Sequence, residues 1–297
     1  MPGVVFVFRG RAGYAVPVKA ALLVLACAAG CGDNATPDAP SAACVFGPWS
    51  QPQREAGLSS TEIDWGPSLA RDGTEMVFAS NRSGPFLLYE ASRAGSDWGP
   101  PQPIAEIPGN AQDPSLSSDR LELYWGSVTG IDHARRAAVG GGWLEIHTLL
   151  PDTAAYTHAG GPDISRDGLT LLFTATSTSD GDDHEWLTTR ASTTDPFGPG
   201  LQATDVSAAT GDAHGSLRGD GLEIIYQNTA GSQLDLHAAT RTAATASFGA
   251  PARVEELDTL SNEGDPDLSD DGATLTFASD RPEGQGWDIY TTTRACN

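Results

Sequence analysis

The sequence predicts an all-β protein, a β-propeller of five blades closed by a strand from its N-terminal side. Three observations predict it. A unit of about 50 residues occurs five times, the period of four-stranded propeller blades. Glycine (34) and proline (20) are abundant, so short strands and tight turns are favoured over helices. Near the start of the chain, "CVFGPWSQPQ" from Cys44 also reads as the end of the chain's own repeat, with no strands a to c before it.

The unit is visible in "PSLARDGTEMVFAS" from Pro67, "PSLSSDRLELYWGS" from Pro114, "PDISRDGLTLLFTA" from Pro162, "GSLRGDGLEIIYQN" from Gly215 and "PDLSDDGATLTFAS" from Pro266. Its shared aspartates are Asp72, Asp119, Asp167, Asp220 and Asp271. An aliphatic residue precedes each of them: Leu69, Leu116, Ile164, Leu217 and Leu268. Another follows: Met76, Leu123, Leu171, Ile224 or Leu275. An aromatic stands two residues beyond that, at Phe78, Trp125, Phe173, Tyr226 and Phe277, so the pair shares one face of a strand. Asp-Gly marks a hairpin turn in four units. The second has Asp119-Arg120, so its turn is expected to differ. Strands a and b of each blade follow from this pattern.

Strand c ends in an arginine each time, at Arg93, Arg136, Arg190, Arg241 and Arg294. An aromatic segment then opens strand d, led by Trp98, Trp143, Phe197 and Phe248. The last unit lacks a strand d, and the segment led by Phe46 lacks strands a to c. Joining them closes the ring and covers apolar blade faces that would otherwise meet water. Cys44 stands two residues before Phe46, and Cys296 two after Arg294. Both fall in the same c–d turn, so a Cys44–Cys296 disulfide is expected.

The formal charge is −22, and residues 1–30 hold Arg9, Arg11 and Lys19 but no acid, so the rest is more acidic still. Such a body repels phosphate backbones, which disfavours nucleic acid as a partner. Lys19 precedes "AALLVLACAAGC", an apolar run too short to span a bilayer and typical of a signal h-region. Its end resembles a bacterial lipobox with Cys31 as the lipidated residue. This divides the chain into a signal peptide (1–30), a tether (31–43) and the propeller (44–297). An exported outer-membrane lipoprotein is expected, facing the periplasm or the cell exterior.

The repeat, P-x-[LI]-x-x-D-G-x-x-[LI]-x-[FY] followed by D-I-Y at Asp288, resembles the WD-like repeats of TolB-type propellers from Cys44 to Cys296. TolB itself has six blades; five are counted here. The resemblance implies a non-catalytic binding or scaffold module that takes an envelope protein or peptide at one mouth of the ring. The acidic body favours a basic partner, and a monomer is expected.

Enzyme motifs are missing. There is no G-x-S-x-G elbow, no H-E-x-x-H, and no sialidase Asp box. The alternative class is a five-bladed carbohydrate-active hydrolase, whose paired carboxylates would come from Asp113, Asp163, Asp265 and Asp267 near the start of strand a. The plainer reading of these acids is that they orient the inter-blade loop by bonding backbone N–H groups. The ligand-contacting candidates are Asp64, Trp65, Asp113, His158, Asp163, Asp212, His214 and Asp265, all at or near the start of strand a. "SDGDDHE" offers calcium a weak acidic site at Asp180, Asp182 and Asp183. No other cofactor is expected.

Overall fold

A computed structural model describes residues 44–204, 206, 211–229 and 233–297. The signal peptide, the tether and the lipidation residue Cys31 lie outside them. The described residues form twenty strands and no helix. β1 (Gln53–Arg54) comes first. β2 (Asp64–Leu69), β3 (Glu75–Ser80), β4 (Leu87–Ser92) and β5 (Gln102–Pro103) make the first complete sheet. The second holds β6 (Gln112–Leu116), β7 (Glu122–Ser127), β8 (Gly130–Arg135) and β9 (Leu144–Pro151). β10 (Tyr156–Ile164), β11 (Thr170–Ser177), β12 (Asp183–Thr189) and β13 (Leu201–Gln202) make the third. The fourth has β14 (Asp212–Leu217), β15 (Glu223–Asn228), β16 (Asp235–Thr240) and β17 (Ala252–Arg253).

The fifth sheet joins the two ends of the ring. β18 (Glu263–Leu268), β19 (Thr274–Ser279) and β20 (Asp288–Thr293) are completed by β1, in the order β1-β20-β19-β18. Gln53 pairs with Thr291 and Arg54 with Tyr290. Cys44 and Cys296 are disulfide-bonded, with Cα atoms 5.4 Å apart. The inner strands β2, β6, β10, β14 and β18 each contact their neighbours in that order, and β18 contacts β2. The expected five-bladed ring is therefore formed.

Apolar packing lies between blades. One buried cluster occupies each junction: Leu88 and Ile104 with Trp125, Tyr124 with Phe173, Leu172 with Tyr226, Ile225 with Phe277, and Met76 with Ile289. Strand b is covered on both sides by neighbouring blades, which explains why Met76-Val77-Phe78 and its counterparts are apolar without alternation.

The a–b turns share one construction. The aspartate carboxylate accepts the backbone N–H two residues on, as Asp167 does from Leu169 at 2.9 Å and Asp220 from Leu222 at 2.9 Å. Gly73, Gly168, Gly221 and Gly272 take φ of 68° to 72°. The expectation that the second turn differs is corrected. Arg120 itself adopts φ 61°, and Asp119 still accepts the N–H of Leu121.

Strand d needs a second correction. The aromatics precede it instead of opening it: Trp98 forms only an isolated bridge to Arg93, and β5 starts at Gln102. Their task is to carry the recurrent arginines. Arg93 lies over Trp98, Arg136 over Trp143, Arg190 over Phe197 and Arg241 over Phe248, with 4.3–4.6 Å to the ring centroids. Arg294 lies over Phe46 at 3.9 Å, so the closing blade repeats the contact with a residue from the other end of the described chain. Each arginine also donates to a carbonyl of its own a–b turn, Arg190 to Gly168 at 2.6 Å for instance. Three reach the preceding blade: Arg136 to Glu75, Arg190 to Glu122 and Arg294 to Glu223.

Candidate functional site

The channel is lined by the five inner strands, and every one of them carries a β-bulge at the same place. The register slips between Trp65 and Ser68, Gln112 and Ser115, Gly160 and Asp163, Ala213 and Ser216, and Gly264 and Asp267. Within each bulge one residue is left-handed: Gly66 (φ 56°), Asp113 (48°), Gly161 (51°), His214 (52°) and Asp265 (49°). A bulge re-aims a side chain, and here it turns three polar groups from three blades towards one another. Glycine is needed at the other two because its neighbours fill the space. A Cβ on Gly66 would lie 2.9 Å from the Cα of Asp113, and one on Gly161 2.9 Å from the ring of His214.

His214 is the centre of the group. Its Nδ1 meets Asp265 Oδ1 in a short contact, and its Nε2 faces Asp113 Oδ2 at 3.9 Å. Asp265 also accepts the N–H of Gly66 at 3.3 Å. Burial would push the imidazole down, but Asp113 and Asp265 outweigh it and lift His214 to about 10. Burial raises the Asp113 carboxyl to about 6; His214 opposes the rise and Asp265 adds to it.

Two residues further along each strand lies a second layer: Ser68, Ser115, Asp163, Ser216 and Asp267. Each accepts a backbone N–H from the next blade. Leu116 donates to Ser68 (3.0 Å), Ile164 to Ser115 (3.0 Å), Leu217 to Asp163 (2.9 Å), Leu268 to Ser216 (3.0 Å) and Leu69 to Asp267 (2.9 Å). The five bonds close a circle around the axis. Burial raises Asp267 to about 7 against the Leu69 and Thr276 hydrogen bonds, and it raises Asp163 well above the ordinary carboxyl range.

The remaining sequence candidates are dispersed. Asp64 is fully buried, ion-paired to Arg82 at 2.5 Å and hydrogen-bonded by the Ser60 backbone at 2.6 Å. Its carboxylate is therefore occupied inside the blade. Trp65 stacks on Phe86 at 4.8 Å and meets Trp287 edge-on. His158 is exposed at the start of β10 with φ 53°. Asp212 starts β14, and its side chain lies outside the described residues. In the third b–c loop, Asp180 accepts the Asp182 N–H and contacts His184, while Asp183 accepts from Thr176. Sequence reading missed the latch shared by two blades, in which Arg82 and Arg281 join Asp64 and Glu263 to the carbonyls of Leu58 and Leu257. Its only trace was an arginine shortly after strand b in the first and last units.

The two mouths differ in charge. At the front, where inner strands begin, the d–a and b–c loops expose Glu62, Glu106, Asp152, Asp180, Glu255 and Glu283. Arg54, Arg82, Arg253 and Arg281 on this side are all held in ion pairs. The other described arginines sit on a–b turns or at the ends of strand c. That back mouth opens on a cavity of about 350 Å³ whose lining mixes Arg71, Arg93 and Arg166 with Asp72, Asp163, Asp267, Asp270 and Asp271.

Neither a family profile nor a curated protein matches the sequence. Solved structures do match. TolB from Acinetobacter baumannii superposes with a TM-score of 0.52 at 15% identity, over 80% of this chain and 56% of that one. The chain thus spans little more than half the length of that relative. An endo-arabinase from Bacteroides thetaiotaomicron gives 0.55 at 14% identity, over 82% and 98% of the two chains. An α-L-arabinofuranosidase from Podospora anserina, solved with cellotriose, gives 0.55 at 10% identity, over 85% and 97%. The expected likeness to TolB is present in the fold, and the same fold is shared with hydrolases. Fold and disulfide together are compatible with an exported protein.

Proposed function

We propose that this propeller is a non-catalytic binding module of a bacterial cell envelope, taking a basic protein or peptide at its front mouth. The observation that carries the reading is the segregation of charge. Acids are exposed at both mouths, Asp72, Asp119, Asp167, Asp220 and Asp271 at the back among them, but most described arginines sit at the back, and the four at the front are committed to ion pairs. Such a surface attracts a cationic partner and discourages an anionic one. Anchoring through lipid on Cys31 and placement at the outer membrane belong to the same proposal. The carbohydrate-active alternative would draw on Asp113, Asp163, Asp265 and Asp267; Asp163 and Asp267 already accept backbone N–H groups, which leaves Asp113 and Asp265. Their nearest oxygens lie within 4.8 Å, with His214 between them.

The test is a calorimetric titration with a lysine-rich peptide and its glutamate-rich counterpart, at low and high salt, beside a turnover assay on arabinan and xylan. Binding of the basic peptide alone, lost at high salt and weakened by Glu62→Gln with Glu106→Gln, supports the proposal. Equal binding of both peptides, binding of neither, or glycan turnover lost in Asp113→Asn, overturns it.

A further inference from the structure

We propose that the neck of the channel is a binding site for one divalent transition-metal ion of the zinc type, ligated by His214 Nε2 and Asp113 and completed by water from the front mouth. Asp265 is its positioning residue. This proposal does not rest on the identity of the partner at the mouth.

The geometry comes first. Asp113, His214 and Asp265 belong to three different blades, yet each offers a ligand atom within 4.8 Å of the others. Asp265 engages Nδ1, which fixes the ring and directs Nε2 at Asp113. A carboxylate behind a histidine is the usual support of a metal-bound imidazole. The 3.9 Å between Nε2 and Asp113 Oδ2 is too long for a hydrogen bond. A tetrahedral ion bonded at about 2.0–2.2 Å on each side holds its ligand atoms about 3.3–3.6 Å apart, so the pair would close by a few tenths of an ångström around it.

A second observation concerns Asp113 alone. Its side chain is only 17% exposed, and among the described residues its carboxylate accepts no hydrogen bond. A shielded carboxylate without a donor needs a cation or a proton beside it. The nearest cation is the His214 ring itself, so an ion entering the neck displaces the Nε2 proton and takes over as the partner of Asp113. Every acid of the layer below has a backbone donor, so Asp113 stands apart. The neck can be reached, because the His214 side chain is 27% exposed.

The donor set selects the ion. One imidazole nitrogen with carboxylate oxygen and water suits zinc-type ions, whereas calcium seeks six to eight oxygens. The other grouping of acids, Asp235, Asp258 and Glu263, is already met by Arg253 and Arg281.

The experiment titrates the purified protein with Zn²⁺, and separately with Ca²⁺, by calorimetry. Wild type, Asp113→Asn, His214→Gln, Asp265→Asn and the control Asp235→Asn are compared, and circular dichroism confirms that each variant is folded. Expected are one Zn²⁺ per chain and a Kd weakened at least about 100-fold in His214→Gln and Asp113→Asn. Asp265→Asn should weaken it about 10- to 100-fold, and Asp235→Asn should leave it unchanged. A zinc-dependent rise in Tm should appear in wild type and vanish in Asp113→Asn, which keeps the fold if His214→Gln does not. No stoichiometric zinc binding, wild-type affinity in the neck variants, or equal affinity for Ca²⁺ would each overturn the proposal.

Discussion

Along each inner strand, two layers of the channel lie only two residues apart and obey different rules. In the lower layer, Ser68, Ser115, Asp163, Ser216 and Asp267 all accept an N–H from the next blade. Serine and aspartate both occur there because either supplies the one oxygen required. In the upper layer the left-handed backbone recurs in every blade, but the side chains do not. Glycine suits such a position without cost, so Asp113, His214 and Asp265 stand against backbone preference. The comparison teaches that acids with the same sequence look, near the start of the same strand, can be mortar in one layer and available chemistry in the next.

Removing mortar should have the largest effect. Asp163→Ala leaves the Leu217 N–H without its acceptor and should cost about 3 kcal/mol in urea unfolding. Asp163→Ser, which copies the neighbouring blades, should stay within about 1 kcal/mol. If both cost the same, the circle of bonds is not what Asp163 provides.

The pH dependence of the lower layer comes next. Asp267 is raised from 3.8 to about 7, so the folded state keeps a proton that the unfolded state has released. Its contribution is full below about pH 4 and is lost as pH rises through about 7. Asp267→Asn keeps an oxygen for Leu69 and cannot ionise. The loss of wild-type stability between pH 4 and 8 should therefore shrink in this variant by on the order of 2 kcal/mol, allowing for water in the channel. An unchanged slope would remove Asp267 from the account.

In the upper layer the effects should be smaller and of both signs. Gly161→Ala puts a methyl against the His214 ring at a left-handed φ, with an expected cost of about 1–2 kcal/mol and a shifted His214 imidazole resonance by NMR. Asp113→Gly should instead gain up to about 1 kcal/mol in metal-free buffer, because it relieves the left-handed backbone and removes a carboxylate without a donor. A loss there would give Asp113 a structural role and erase the contrast between layers.

Much of the frame was legible in the chain. The five units, the c-strand arginines and the placement of Cys44 beside Cys296 follow from residues that recur in register, since a repeated contact leaves a repeated letter. The bulge was hidden because its hallmark is a backbone angle: Gly66, Asp113, Gly161, His214 and Asp265 share a conformation and no chemistry. The two layers were indistinguishable for the related reason that Asp163 and Asp265 both sit beside Pro162 or Pro266 in similar strings. Asp64 looked available because its partner, Arg82, lies in the turn after β3, eighteen residues on, and recurs in only one other blade, as Arg281.

The disulfide at the seam has a mechanical consequence. Cys44 and Cys296 bracket nearly the whole described chain, and β1 already lies against β20 beside them. A pull applied at these two ends would pass through the sulfur–sulfur bond and leave the blades unloaded. Only after reduction would tension reach the closing segment, whose backbone bonds at Val45, Gly47 and Ser50 would open in turn before those of β1.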